Sequence, residues 1–211
     1  MPGSYQIATI EGDGIGPEVC RAAVKVLKEA LGEGIMSFDD FPGGASHYLK
    51  SGQVLPPDTF EACKTAHAML HGAAGLPNVT YPDGTEVGND LHLQLRFKLD
   101  LYANVRPIRL YQGNFSPLKN REAGDIDYVI VRENTEGLYA SRGAGVLLRG
   151  EVSTDTLVLT RKGCERIARF AFELSRKRNG APSDKKRRMT VCDKANILRS
   201  YAFFRSVCDD V

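Results

Sequence analysis

Nothing in this sequence builds a metal knuckle or a disulfide scaffold. Its 5 cysteines are Cys20, Cys63, Cys164, Cys192 and Cys208. The count is odd, the spacings are wide and no C-x-x-C pair exists, which reads as reduced, mostly buried thiols in a reducing compartment. The 4 histidines, His47, His67, His71 and His92, are scattered and suggest no histidine metal site. No apolar run approaches membrane-spanning length, and the start of the chain lacks a signal-peptide pattern, so the cytoplasm is the expected compartment. An excess of one charge is also missing: 28 Lys and Arg stand against 26 Asp and Glu, for a net charge of +2. There is no basic face with interleaved aromatics, so nucleic acid is not an expected partner. The run Lys185-Lys186-Arg187-Arg188 follows an evident loop and reads as a solvated loop rather than a binding patch. Internal repeats and low-complexity segments are absent.

What is present is an ordinary globular composition, 42% hydrophobic and 26% charged, over 211 residues. That length can bury a real core in one large domain or two small ones. Strands are expected at Tyr5 to Ile10, Ile35 to Phe41, Ala66 to Gly72, Leu101 to Leu110, Asp127 to Arg132 and Met189 to Cys192. Helices are expected after Pro17, from Gly43-Gly44-Ala45-Ser46 through Leu49, from Leu55 to about Thr65, over 90–99, over 161–178, and from Asp193-Lys194-Ala195-Asn196 to about Asp209. Residues 73–88 read as a long loop, 112–124 as a polar loop, and 137–160 as extended arms or a hairpin. Strands alternating with helices argue for an α/β layer architecture.

Three places carry chemistry. The first is the turn Gly12-Asp13-Gly14-Ile15-Gly16-Pro17-Glu18 between a strand and a helix. Its glycines allow positive φ and close approach of another chain or a ligand. A Rossmann loop would be G-x-G-x-x-G; this one is G-x-G-x-G followed by proline, a weak signal for a ligand role. The second is a set of arginines in mostly apolar surroundings: Arg96, Arg106 within Asn104-Val105-Arg106-Pro107, and Arg132. A guanidinium buried without a partner costs several kcal/mol. A carboxylate-bearing ligand would meet that need, because arginine's planar fork binds carboxylate bidentately and stays charged. Structural salt bridges with some of the chain's acids would meet it too. The third place is Lys194 with Asn196, just past an expected strand end and at a helix head. Ligands gather at that edge of an α/β sheet, and a lysine there can move a proton; an exposed helix-start lysine is the other reading.

Together these segments resemble the β-decarboxylating dehydrogenases, the isocitrate and isopropylmalate dehydrogenase family. The resemblance rests on residues 12–18, on Leu99-Asp100-Leu101-Tyr102-Ala103-Asn104-Val105-Arg106-Pro107, on Val131-Arg132-Glu133-Asn134-Thr135-Glu136-Gly137-Leu138-Tyr139 and on Asp193-Lys194-Ala195-Asn196-Ile197-Leu198. These motifs stand in family order over nearly the whole chain. The resemblance implies an α/β, two-domain fold that is not Rossmann, with a first domain over 1–101 and a second over 102–211. The second would carry a β arm at about 137–160 that dimerises. It implies oxidative decarboxylation of a 3-substituted malate of the isopropylmalate, isocitrate, homoisocitrate or tartrate type, with NAD or NADP and with Mg2+ or Mn2+. Arg96, Arg106 and Arg132 would hold the malate carboxylates. Tyr139 would reprotonate the enol carbon. Lys194, reaching in from the partner of a homodimer, would handle the C2 hydroxyl proton. Asn196 and Ile15 are the expected cofactor contacts.

The resemblance also implies that family members continue beyond Val211. The metal ligands and the adenosine loop would lie there, so both domains would be incomplete here and this chain inactive alone. A non-catalytic regulatory or assembly subunit is the alternative. Isopropylmalate enzymes place apolar residues before the first arginine, and isocitrate enzymes place Ser and Asn. Here Asp90 and His92 lie six and four residues before Arg96, on one expected helical face. That suits a polar substituent better than isopropyl. The stretch Glu133 to Tyr139 leans the same way, toward the isocitrate-like or homoisocitrate-like branch.

Overall fold

The computed structural model describes residues 5–113 and 116–211. Residues 1–4, and Asn114 and Phe115 within the expected polar loop, lie outside the described residues. The chain divides into two units, the first ending at Leu99 and the second running from Asp100 to Val211. Among the described residues no helix is long and apolar enough to cross a membrane.

The first unit is a parallel three-stranded sheet with helices. Its elements are β1 (Tyr5–Ile10), α1 (Gly16–Leu31), β2 (Met36–Asp40), α2 (Ala45–Ser51), α3 (Pro57–Thr65), β3 (Ala68–His71) and α4 (Val87–Lys98). The strand order is β2-β1-β3. Tyr5 pairs with Met36 and Ile7 with Ala68. Because β1 is central, Ile7, Ala8, Thr9 and Ile10 are all buried, as the continuous apolar run of a strand covered on both faces requires. Ala8 and Ile10 share one face and join Ala45, Val54, Leu55, Cys63, Val87, Leu91 and Leu95 in a single core. That core explains α4: Leu91 and Leu95 stand one turn apart and point into it. Pro17 and Glu18 occupy the first turn of α1, where a missing N–H is harmless and an acid meets the helix dipole; Gly32 ends it at φ 89°.

The second unit contains β4 (Ala103–Arg109), β5 (Asp127–Glu133), β6 (Val146–Leu148), β7 (Val152–Thr154), α5 (Arg161–Lys177) and α6 (Arg199–Asp210). β4 and β5 are antiparallel, with Asn104 opposite Arg132 and Arg106 opposite Ile130. Pro107, which cannot donate to a ladder, sits in β4 opposite Val129. β6 and β7 form a hairpin, Leu148 opposite Val152. Arg149 (φ 52°) and Gly150 (φ 72°) make its turn, both in the left-handed region that a tight hairpin turn needs. α5 starts on Thr160, whose hydroxyl accepts from the Gly163 amide at 3.0 Å. Cys164, Ile167 and Ala168 of α5 and Val207 and Cys208 of α6 are buried.

Three expectations are corrected here. Residues 189–192 form no strand, and Cys192 is exposed. A strand needs a neighbouring ladder, and among the described residues none pairs with this segment. The last helix starts at Arg199, not at 193–196. Lys194 and Asn196 instead lie in a turn, where the Lys194 carbonyl accepts from the amides of Ile197 and Leu198, both at 3.0 Å. Arg106 is exposed rather than buried, because β4 is half of a two-stranded ribbon with little cover.

Gly12 and Gly14 both have positive φ, 76° and 56°, but only one is crowded. A Cβ on Gly12 would overlap the Ala73 carbonyl oxygen, and one on Gly14 would meet nothing within 4 Å. Gly12→Ala is therefore expected to cost ~3 kcal/mol or more, against about 1 kcal/mol for Gly14→Ala, the left-handed backbone penalty alone. Urea unfolding midpoints of the two variants measure the difference; equal losses would contradict it.

Candidate active site

The glycine turn owes its shape to Asp13. Its side chain is 2% exposed. Oδ2 accepts from the amides of Ala45 (2.7 Å) and Gly75 (2.8 Å), and Oδ1 from Ser46 (2.7 Å). Burial works to raise the Asp13 pKa, but the Gly75, Ser46 and Ala45 groups outweigh it and hold the carboxyl below its usual range. The close approach at Gly12 thus serves the chain's own Ala73 backbone. Gly14 is open, and Ile15 beside it is 56% exposed. That leaves an apolar ledge at the carboxyl end of β1, the usual ligand edge of such a sheet.

α4 carries Asp90, His92 and Arg96. Asp90 and His92 do not share a face, which corrects the expectation. Residues two apart on a helix are rotated by about 200°. Asp90 accepts from Tyr81 Oη (3.1 Å) and from Gln94 Nε2 (2.7 Å). His92 turns the other way, and its Nδ1 lies 3.3 Å from His71 Nε2. Arg96 lies on the His92 side, one turn on, and its cation acts on the His92 charge. Burial lowers the pKa of both histidines; for His92 the His71 ring and Arg96 add to this, and for His71 the Gly72 carbonyl and Asp13 oppose it.

In the second unit the antiparallel ladder decides which residues share a face. Arg166 of α5 reaches Glu133, and Arg178 at the end of α5 reaches Asp127. Glu133 and Asp127 lie on one face of the ribbon, so α5 covers that face. Asn104, Arg106, Ile130 and Arg132 lie on the other. Arg106 Nε donates to Asn104 Oδ1 at 3.0 Å, and Asn104 Nδ2 to Asn134 Oδ1 at 3.3 Å. Arg132 is half-buried, and its guanidinium lies 5.6 Å from the Tyr139 ring centroid. Among the described residues neither Arg106 nor Arg132 forms an ion pair with a carboxylate, whereas Arg161, Arg166, Arg178, Arg188 and Arg205 all do. Two cations on one ribbon face, without carboxylate partners among the described residues, make that face positive. Tyr139 is 41% exposed, and its hydroxyl has no partner among the described residues.

Several residues that support this face were not singled out in the sequence. Glu133 accepts from the amides of Thr135 (2.8 Å) and Glu136 (2.6 Å) and pairs with Arg166 at 2.9 Å. Arg166 also binds Asp100 through both carboxylate oxygens at 2.9 Å and stacks on Tyr102 at 4.7 Å. Glu136 accepts from the Thr160 amide at 2.9 Å, which ties the start of α5 to the turn before Tyr139. Asp193 accepts from Arg205 Nε (2.9 Å) and from the Ala195 amide (2.8 Å); Arg205 first, then that amide, lowers its pKa. Lys194 and Asn196 ride exposed on the turn so held. Glu133 and Glu136 lie inside a recognised motif and could have been found by asking what a buried acid pairs with. Arg166 gives no local signal.

The described residues contain no group of three or more His, Cys, Asp or Glu able to hold a metal ion. A divalent metal therefore has no donor set among the described residues. A shallow cleft of about 200 Å³ between β1, β2 and α1, bordered by Thr9, Lys28 and Phe38, holds none of the expected site residues.

The glycine turn lies at the carboxyl end of a parallel sheet in the first unit, and the second unit carries, on one ribbon face, two arginines without carboxylate partners among the described residues. The profile of the isocitrate/isopropylmalate dehydrogenase family matches residues 6–211, and the chain belongs to that family. It is 43% identical over 202 residues to a 3-isopropylmalate dehydrogenase of Bifidobacterium longum (strain DJO10A), covering 94% of this chain and 55% of that protein. It is 41% identical over 203 residues to the 3-isopropylmalate dehydrogenase of Clavibacter sepedonicus, with the same coverage of 94% and 55%. Among solved structures, isocitrate dehydrogenase from Methylococcus capsulatus matches with a TM-score of 0.78 at 31% identity, over 98% of this chain and 56% of that one. A β-decarboxylating dehydrogenase from Thermococcus kodakarensis matches with a TM-score of 0.72 at 36% identity, over 98% and 54%. The chain thus spans about half the length of the curated relatives it matches. The α/β fold expected from the motifs is the one found.

The histidine pair makes the stability of the first unit pH-dependent. Both folded-state pKa values lie below the ordinary 6.5, so the unfolded chain takes up the protons first. Stability should be level above about pH 6.5 and fall as pH drops below it, while Asp13 adds a second loss only at more acid pH. Melting temperatures across pH 5 to 8 test this. The combined variant His71→Asn and His92→Gln should flatten that limb; an unchanged slope would refute the assignment.

Proposed function

We propose that this chain contributes to an NAD(P)- and Mg2+- or Mn2+-dependent oxidative decarboxylation of a 3-substituted malate. The observation that carries the reading is the pairing of Arg106 with Arg132 on one ribbon face, without carboxylate partners among the described residues. The relatives' names support the reaction class. Arg106 and Arg132 bind the malate carboxylates and fix the substrate's orientation, and positioning of this kind can be worth several kcal/mol of barrier. Asn104 holds Arg106 in place through its 3.0 Å hydrogen bond. The family resemblance gives Arg96 of α4 a carboxylate-binding role as well. Asp90 belongs to the support of the loop around Tyr81 rather than to the substrate.

A bound nicotinamide would supply the hydride acceptor for C2. Lys194 takes the proton of the C2 hydroxyl. Tyr139 gives its hydroxyl proton to C3 after CO2 departs; its half-exposed hydroxyl, without a partner among the described residues, suits that task. Ile15 and Asn196 are the cofactor contacts of this reading. A second reading, a non-catalytic regulatory or assembly subunit, is favoured by one observation, the lack of a metal donor set among the described residues.

NADH or NADPH formation by the complete gene product separates the two. With Mn2+ and a panel of isocitrate, isopropylmalate, homoisocitrate and tartrate, the catalytic reading expects turnover of at least one. Arg132→Lys should then lower kcat/KM about 100-fold, as expected for a lost bidentate contact to an anion. Tyr139→Phe should lower kcat by 10²-fold or more with KM little changed. No turnover with any of the four, by folded protein, would leave the regulatory reading.

Dimerisation belongs to the same proposal. The β6–β7 hairpin is apolar yet open to solvent, with Leu147 72% and Leu148 55% exposed. A lone two-stranded hairpin of that kind is marginal in water and is stabilised by burial against a second copy. Sedimentation should show a dimer that Leu147→Asp shifts toward monomer. A monomer at all concentrations would contradict the arm's role and the delivery of Lys194 from a partner.

A further inference from the structure

Arg106 is held by a line of uncharged side chains within the second unit. Asn134, just past β5, is 5% exposed. Its backbone N–H donates to the Tyr102 carbonyl at 2.8 Å, and its Nδ2 donates to the Leu101 carbonyl at 3.4 Å. Asn134 Oδ1 accepts from Asn104 Nδ2 at 3.3 Å, and Asn104 Oδ1 accepts from Arg106 Nε at 3.0 Å. Donation therefore runs one way, from the guanidinium through both amides to a backbone carbonyl. The two ends fix that direction. A carbonyl only accepts and a guanidinium only donates, so turning over either amide, or both, sets donor against donor or acceptor against acceptor.

This arrangement leaves the cation available. Among the described residues only Nε of the Arg106 guanidinium is hydrogen-bonded. Its two terminal nitrogens remain as a fork of the kind that takes a carboxylate bidentately. Asn104 stands opposite Arg132 across the ladder and two residues from Arg106 on the same strand, so it neighbours both arginines on the open face. A carboxylate at position 104 would accept from Arg106 as the amide does, but it would also offset the charge that an arriving anion meets. An amide oxygen holds the guanidinium and leaves its charge in place.

We propose that Asn134 is a positioning residue that turns the Asn104 oxygen toward Arg106, and that the two amides hold Arg106 for a carboxylate without neutralising it. The ligand half of this inference rests on the substrate reading of the preceding section; the direction of the hydrogen bonds does not.

Proton–nitrogen correlation spectra of this chain read the line with no ligand present. The Arg106 Nε–H should exchange with water about five-fold more slowly than that of Arg176, an exposed arginine whose side chain has no partner among the described residues. Asn134→Leu nearly keeps the volume but offers Asn104 no acceptor, and that protection should be lost. In the complete gene product, assayed on the panel member it turns over, Asn134→Leu should raise KM about five-fold, the size of one net hydrogen bond, and leave kcat within about two-fold. Asn104→Asp keeps an acceptor for Nε, so the protection should stay, yet KM should rise by more than in Asn134→Leu. Fast exchange at Arg106 in the unsubstituted chain overturns the line. Unchanged protection or unchanged KM in folded Asn134→Leu overturns the positioning role, and an unchanged KM in Asn104→Asp overturns the need for a neutral acceptor. If Nε is protected as stated and no member of the panel is turned over, the ligand half falls with the substrate reading and the line of amides stands.

Discussion

Asp13 is buried, and amides from two other segments close on its carboxylate. Those amides open α2 and follow β3, so one side chain joins the end of the central strand to two crossovers. An ionised carboxylate away from water is tolerable only when its lone pairs are met, and here three N–H groups meet them. With that knot tied, Gly12 can lie against Ala73, and Ile15 is left standing beside an open Gly14. The exposed ledge of the first unit therefore follows from an interaction that is itself wholly internal.

The second unit repeats the logic with the charges exchanged. Arg166 gathers Asp100, Glu133 and the Thr135 hydroxyl on the α5 side of the ribbon. Acids that could have neutralised Arg106 and Arg132 are spent on that face. The pleat then separates structural cations from the two that lack carboxylate partners among the described residues. The same motif residues serve both ends: Glu133 and Glu136 hold the turn and the start of α5, while Arg132 just before them carries no carboxylate partner among the described residues and Tyr139 just after them is 41% exposed. A recognised motif of this family is in that sense half scaffold.

Local signals carried most of the fold. Tyr5 to Ile10, the proline at the head of α1, the leucine spacing of α4 and the β-branched stretch around the hairpin each act within a few residues, and each element formed where its pattern pointed. Two of the failures share a cause, the dependence on a tertiary partner, and the third is one of helix geometry. Met189 to Cys192 has the composition of a strand, but a strand exists only through a partner ladder, which composition cannot supply. Arg106 looked buried because its neighbours are apolar, yet burial depends on what covers a ribbon. Spacing from Arg96 suggests one face for Asp90 and His92, but their own spacing of two residues places them on opposite sides.

By itself the sequence determined the chemistry available: which side chains can carry charge, which can move a proton, and which turns must be glycine. It also determined family membership, because four motifs in order survive any uncertainty in packing. Tertiary structure alone decided which arginines are paired and which are not, since Arg166 reaches acids 33 and 66 residues away. It alone set His71 against His92, 21 residues apart. Hydrogen bonding acts over about 3 Å of space regardless of chain separation, and that distance is written in the fold rather than in the order of the residues.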